Sequence, residues 1–110
     1  MPKRKWTKGE FTIYLGSEPY TVQGYTHGPV GADKRESGTW FLTHLSSGYY
    51  MGMYDLLKDI RATVDRLLVI APEDHPFWKQ TGALDAVNTL GENRDTFLGI
   101  LRDKDIRYKE

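Results

Sequence analysis

Residues 39–68, TWFLTHLSSGYYMGMYDLLKDIRATVDRLL, constrain the fold of this chain more than any other stretch. Trp40 to Leu45 carries apolar side chains on both faces of a strand, which is typical of a strand inside a sheet. Ser46-Ser47-Gly48 supplies turn residues, and Tyr49 to Met53 follows as a second strand. A tight turn between two strands predicts antiparallel pairing.

An amphipathic helix is predicted directly after these strands. Asp55 is a plausible N-cap, because its carboxylate can accept from free N–H groups of the first turn. Pro72 prevents the helix from continuing much beyond Ile70. The apolar positions recur at steps of three and four residues: Leu57, Ile60, Val64 and Leu67 or Leu68.

The N-terminal half predicts a β-hairpin followed by a loop. Phe11, Ile13 and Leu15 alternate with polar or tyrosine positions, which indicates a strand with one buried face toward the helix. Residues 16–19 form a turn into a second strand over residues 20–25. Residues 26–38 are polar and rich in glycine, and they predict a loop.

The expected fold is therefore α+β, with a four-stranded, mainly antiparallel sheet and one amphipathic helix packed on one face. We expect a single domain over residues 1–110, with a flexible basic arm at 1–9 and the sheet and helix at 10–70. Residues 71–110 form a short helical C-terminal segment and tail, in which Phe77-Trp78 anchors a loop to the core. Apolar positions of its two short helices are Ala83, Leu84, Val87, Leu90, Phe97, Leu98, Ile100 and Leu101.

Composition excludes several classes of function. The chain has 15 Lys+Arg and 15 Asp+Glu, so it has no overall field that would attract nucleic acid or an anionic membrane. It has no cysteine, which excludes disulfides, thiolate metal sites and cysteine nucleophiles. No stretch approaches the roughly 20 apolar residues of a membrane span, and the N-terminus is not a signal peptide. We expect a soluble, cytoplasmic protein with no membrane partner.

The best lead to function is a bias toward tyrosine, with seven in the chain. If Phe11, Val22 and Phe41 face the helix, an aromatic set lies together on the outer face of the sheet. Such a face serves protein interfaces or stacks on unpaired bases. The alternatives are that these tyrosines only stabilise the sheet, or that the C-terminal segment covers them. The predicted contact residues are Tyr14, Tyr25, Trp40, Tyr50 and Tyr54, with His44 beside Trp40.

The basic arm offers a second binding feature. Its cations can contact phosphates and so add affinity without sequence specificity, and Trp6 lies among them. The alternative is a solvated terminus that aids solubility. The cations are Lys3, Arg4, Lys5 and Lys8.

Catalytic and metal-binding patterns are missing from the sequence. His27, His44 and His75 lie far apart, and no pair has the spacing of metal ligands on a helix. No nucleophile elbow, phosphate loop, dinucleotide fingerprint or zinc-protease motif occurs. We therefore expect no enzyme, no cofactor and no metal.

Residues 40–62 carry the pattern W-F-L-T-H-L-S-S-G-Y-Y-M-G-M-Y-x-x-L-K-D-I-R-A. This pattern resembles one in small accessory proteins of phages and other bacterial mobile elements. The resemblance covers about a quarter of the chain and includes no catalytic residue. In size and lack of motifs the chain also resembles inhibitors of bacterial defence nucleases, including anti-CRISPR proteins. The resemblance implies a protein that works by binding a host protein or protein complex.

Two hypotheses from different classes follow. The first is a non-enzymatic protein-binding module, an inhibitor of a CRISPR-type defence complex that acts by steric blockade with the aromatic face. The second is a single-stranded nucleic-acid-binding protein that uses the same face for stacking and the basic arm for phosphates. A homodimer through the aromatic face or a sheet edge would bury the same residues.

Overall fold

A computed structural model describes residues 6–102 of the chain. Five strands occur within these residues: β1 (Thr7–Leu15), β2 (Glu18–His27), β3 (Val30–Lys34), β4 (Trp40–His44) and β5 (Tyr50–Tyr54). The α-helices that follow are α1 (Leu57–Ile70), α2 (Ala83–Asn88) and α3 (Arg94–Arg102). Short 3-10 helices lie at Pro76–Lys79 and Gly91–Asn93.

The strands form one sheet in the order β1-β2-β3-β4-β5, and every neighbouring pair is antiparallel. The α+β class is thus confirmed, but the predicted number of four strands is wrong. The additional strand is β3, which lies inside the segment that we predicted as a loop. Hydrogen-bonded neighbours on both sides stabilise β3, although its sequence, VGADK, has weak strand propensity.

The two faces of the sheet are opposite to the prediction. Because directly paired residues of antiparallel strands share a face, the pair Ala32–Leu42 and the pair Trp40–Tyr54 lie on one face. Ala32, Leu42 and Tyr54 are buried in the core together with residues of α1. Phe41, which we expected to face the helix, therefore points away from it.

The sheet curls so that β1 approaches the turn between β4 and β5. The backbone N–H of Tyr14 donates to the carbonyl oxygen of Gly48 at 2.9 Å, although three strands separate β1 from β5. Phe11 and Ile13 are buried, and the Phe11 ring lies so close to Gly31 that a Cβ there would meet it at 2.9 Å. These two buried side chains lie outside the main core cluster.

Helix α1 confirms the predicted apolar stripe, since Ile60, Val64 and Leu67 are fully buried. Its N-cap residue is Leu56, whose side chain makes no capping hydrogen bond, so the prediction of Asp55 as the N-cap residue is wrong. The helix ends at Ile70, two residues before Pro72, as predicted.

The C-terminal segment packs on the same face of the sheet as α1. Phe77 and Trp78 are buried, which confirms their predicted role as an anchor. The indole Nε1 of Trp78 donates to the carbonyl oxygen of Ala71 at 2.7 Å. The hydroxyl of Tyr54 donates to the carbonyl oxygen of Leu101 at 2.9 Å. The C-terminal segment therefore covers the β4–β5 part of the sheet.

Candidate functional site

The structure separates the six predicted contact residues into three groups. His44 and Tyr54 are buried, each 4% exposed, and they face the helices. Tyr25 and Trp40 are half-buried with ring centroids 6.2 Å apart. Tyr14 and Tyr50 are exposed. The expected single outer face with all of these aromatic residues does not form.

A β-bulge explains why Tyr50 and Tyr54 point to opposite faces although they are four residues apart. Leu42 pairs with Gly52, but the next residue, Thr43, pairs with Tyr50. One extra residue of β5 therefore lies between these pairs, and the alternation of side chains shifts by one position. As a result the Tyr50 side chain lies on the same face of the sheet as Phe41 and not on the face of Tyr54.

We call two ring pairs and one neighbouring side chain the tyrosine surface. It consists of the exposed Tyr14, Tyr49, Tyr50 and Met53 and the half-buried Phe41. The rings of Tyr14 and Tyr49 lie 5.8 Å apart, and those of Phe41 and Tyr50 lie 5.9 Å apart. Tyr49 and Tyr50, one from each pair, are consecutive in the sequence, and Met53 is directly paired with Phe41. Tyr50 is 60% exposed, so a ring held by a neighbouring ring is open to a partner.

The ion pair of Asp33 and Arg35 packs against the Phe41 ring of this surface. The carboxylate of Asp33 is buried and pairs with the guanidinium of Arg35. That guanidinium lies over the ring of Phe41, with its carbon 4.0 Å from the ring centroid. The buried negative charge is thus compensated, and the Phe41 ring is covered by Arg35 on one side.

His44 is a structural residue on the opposite face. Its Nε2 lies 2.7 Å from the carbonyl oxygen of Phe77, which can only accept, so Nε2 carries the proton. Its Nδ1 therefore accepts from the hydroxyl of Ser47 at 2.8 Å. The imidazole stacks on Trp78 with centroids 5.7 Å apart. Burial lowers the pKa of His44 below its usual value, so the ring is neutral at pH 7.

The hydrogen bonds of Ser47 and His44 close the turn between β4 and β5. The Ser47 hydroxyl oxygen accepts from the N–H of Tyr49 at 3.2 Å, and the Ser47 N–H reaches the same Nδ1 of His44 at 3.2 Å. Both side chains therefore serve the β4–β5 turn. The turn was predicted from Ser46-Ser47-Gly48, and the spacing His-x-x-Ser before glycine is the signal that would have placed His44 in it.

A groove lies between β5 and the helices α2 and α3, with a volume of about 170 Å³. Phe77 and Phe97 line it, with ring centroids 4.7 Å apart. A second, adjacent hollow continues along β5 to Arg102 at the end of α3. The remaining residues that line the groove carry no formal charge: His44, Ser47, Tyr49, Tyr50, Met51, Ala83, Ala86, Val87, Leu98 and Leu101.

The basic arm is only partly within the described residues. Lys3, Arg4 and Lys5 lie outside them, whereas Lys8 is exposed in β1 and pairs with Tyr25. Strand β1 begins at Thr7, so it includes three residues that we assigned to the arm.

The histidines are distributed over separate parts of the molecule. His27 stacks on Trp6 with ring centroids 4.8 Å apart, and Nδ1 of His75 accepts from the N–H of Phe77. Residues 6–102 contain no group of three or more His, Asp or Glu side chains that could hold a metal ion.

Comparison with protein-family models, with curated proteins and with solved structures finds no match for this chain. Among the helices of residues 6–102, none has both the length and the apolar character that crossing a membrane requires.

Proposed function

We propose that this chain is a non-enzymatic protein-binding module that contacts its partner through the tyrosine surface. The partner is a host protein or protein complex, and the module acts by covering or filling a cleft on it. The resemblance of residues 40–62 suggests a mobile-element accessory protein. The size and lack of motifs resemble inhibitors of defence nucleases, so the proposed target class is a bacterial defence complex of the CRISPR type.

The observation that supports the proposal most directly is that Tyr50 is exposed while its ring packs on that of Phe41. Its ring is 60% exposed, while Phe41 contacts it from one side and Arg35 lies over Phe41. Tyrosine, methionine and arginine are enriched at the centre of protein interfaces, since each buries a large area. A ring whose position is already fixed loses little side-chain entropy when a partner covers it.

The proposed contact residues differ from the sequence-based set in a defined way. Tyr14 and Tyr50 remain, and Phe41, Tyr49 and Met53 are added. Tyr25 and Trp40 are half-buried and form their own ring pair. The buried side chains of His44 and Tyr54 support the fold and are not proposed as contacts.

A pull-down with two matched variants tests the proposal. The tagged full chain is incubated with bacterial lysate, one half treated with nuclease, and bound protein is compared with that of Tyr50→Ala and Tyr20→Ala. Tyr20 is the control because it is 50% exposed on β2 and lies outside the two ring pairs of the surface.

We expect the tagged chain to capture a partner protein that stays bound after nuclease treatment. The Tyr20→Ala variant should still capture this partner, whereas the Tyr50→Ala variant should not. A hot-spot aromatic typically contributes about 2 kcal/mol or more, which is roughly a thirtyfold loss of affinity. Equal capture by both variants, with circular dichroism showing both folded, would remove the tyrosine surface from the proposal.

Nucleic-acid binding is the second candidate, because the exposed ring of Tyr50 is also suited to stacking on a base. It predicts capture that disappears with nuclease and falls steeply as salt rises. Replacing Lys3, Arg4, Lys5 and Lys8 by glutamine should then reduce the salt dependence. A protein interface built on tyrosines of an uncharged surface should change little with salt.

A further inference from the structure

The groove between β5 and the helices has the size of one side chain. Its volume of about 170 Å³ is close to that of an engineered apolar cavity of about 150 Å³ that takes up benzene. Phe77 and Phe97 form a packed floor, so no rearrangement is needed to open the groove. These dimensions fit one aromatic or branched aliphatic side chain.

The charges around the groove narrow the class of ligand further. Among residues 6–102, none of those that line the groove or its continuation carries a carboxylate. Arg102 is the one cationic side chain of the described residues that lines the continuation of the groove, and it follows Leu98 by one helical turn. Side chains one turn apart on a helix have Cβ atoms about 5–6 Å apart, so a carboxylate next to the bound side chain can reach the guanidinium.

We propose that this groove binds an extended segment of a partner protein that presents one aromatic or branched aliphatic side chain next to a carboxylate. The apolar side chain occupies the space between Met51 and Val87, and the carboxylate pairs with Arg102. This inference rests on the proposed function as a protein-binding module, and it adds a second contact with a stated chemistry. A basic partner segment is disfavoured, because the described part of the chain places no carboxylate along the groove to compensate its charge.

Two small probes test the groove without knowledge of the partner. N-acetyl-phenylalanine carries the ring and a carboxylate, and N-acetyl-phenylalaninamide carries the ring alone. Each is titrated into the full chain while NMR signals of Val87 and Leu98 are followed. We expect saturable shifts with both probes and binding of the carboxylate probe about two- to fivefold tighter, as an exposed ion pair allows.

Variants distinguish the apolar from the charged contribution. Arg102→Gln should make the two probes bind equally. Ala83→Trp should block both, because Ala83 lines the groove at its rim and is exposed. Leu84→Trp is the matched control, since Leu84 is 73% exposed and does not line the groove, and it should leave binding unchanged.

Three outcomes would overturn the inference. Absence of saturable shifts with either probe would show that the groove does not bind an aromatic side chain. Equal affinities of the two probes for the unchanged chain would show that Arg102 does not bind the carboxylate. Binding that appears only after Ile106→Ser with Tyr108→Ser would make the chain's own C-terminal residues the occupant. A partner captured through Tyr50 but retained by Ala83→Trp would refute the groove and leave the proposed function intact.

Discussion

His44 couples the stability of the protein to pH. Its imidazole is buried, and its Nδ1 must be unprotonated to accept from Ser47. Burial lowers the pKa of folded His44, whereas an unfolded histidine titrates near its ordinary value of 6.5. As the pH falls below about 6.5 the unfolded chain takes up the proton first, so the free energy of unfolding decreases.

Urea unfolding at pH 7.5 and at lower pH checks this expectation. Other groups also titrate. The informative quantity is therefore the pH-dependent change in the free energy of unfolding, compared between the original chain and His44→Gln. The variant should be less stable at neutral pH and should lose less stability on acidification. Identical pH dependence of the two proteins would show that His44 is not the group responsible.

Thr43 has a hydroxyl that the fold does not use. The residue is fully buried in β4, and its Oγ1 has no hydrogen-bond partner within residues 6–102. Valine has nearly the same shape without the hydroxyl, so Thr43→Val should raise the free energy of unfolding by about 1 kcal/mol. Thr43→Ala, which also removes a methyl group and leaves a cavity, should lower it. Comparison of urea midpoints at equal slope measures both.

At the scale of residues, the sequence could not show which side of β4 faces the helices. Phe41 and Leu45 on one side are as apolar as Trp40 and Leu42 on the other. The choice depends on which set packs on α1, and the structure buries Leu42. His44 and Tyr54 enter the core because a backbone carbonyl accepts from each, Phe77 for His44 and Leu101 for Tyr54, and these partners are distant in sequence.

At the scale of elements, helices were predictable and one strand was not. The helical stripe of α1 has a period that the sequence shows directly, and its end before Pro72 follows from the missing N–H of proline. Strand β3 has two small residues, Gly31 and Ala32, and two charged ones, so its own sequence resembles a loop. Pairing with β2 and β4 creates the strand, and such pairing is tertiary. The bulge of β5 is likewise invisible to simple alternation.

The junction of β2 and β3 gives a sharp test of this sheet order. A Cβ at Gly24 would lie 2.1 Å from the carbonyl oxygen of Ala32, a backbone atom that cannot move without displacing β3. Gly24→Ala should therefore lower the free energy of unfolding by about 1–3 kcal/mol or more. Gly9 pairs directly with Gly24, and a Cβ there meets nothing within 4 Å.

Gly9→Ala, on the neighbouring strand β1, is thus the matched control, and it should be neutral or slightly stabilising. Thermal unfolding of the two variants measures the difference. Equal midpoints would contradict the close approach of β2 and β3 at this position.

At the scale of the whole molecule, one cluster of side chains connects the sheet to the helices that pack on it. The rings of Phe77, Trp78 and Phe97 form a cluster, with Phe77 and Trp78 centroids 4.6 Å apart. Hydrogen bonds from Trp78 to Ala71 and from Tyr54 to Leu101 join this cluster to α1 and β5. The groove and the tyrosine surface share Tyr49 and Tyr50, and Phe77 and Phe97 of this cluster line the groove, so both candidate sites depend on these contacts.

Cooperative unfolding follows from that arrangement, and Phe97→Ala tests it. Phe97 is fully buried, so its truncation should lower the free energy of unfolding by about 3–5 kcal/mol. Because the cluster connects sheet and helices, urea curves from tryptophan fluorescence and from far-UV circular dichroism should shift together and stay coincident. Leu15→Ala, at an exposed end of β1, should move neither curve by more than about 0.5 kcal/mol. Loss of the helical signal at lower urea than the fluorescence change would show that the two layers unfold separately.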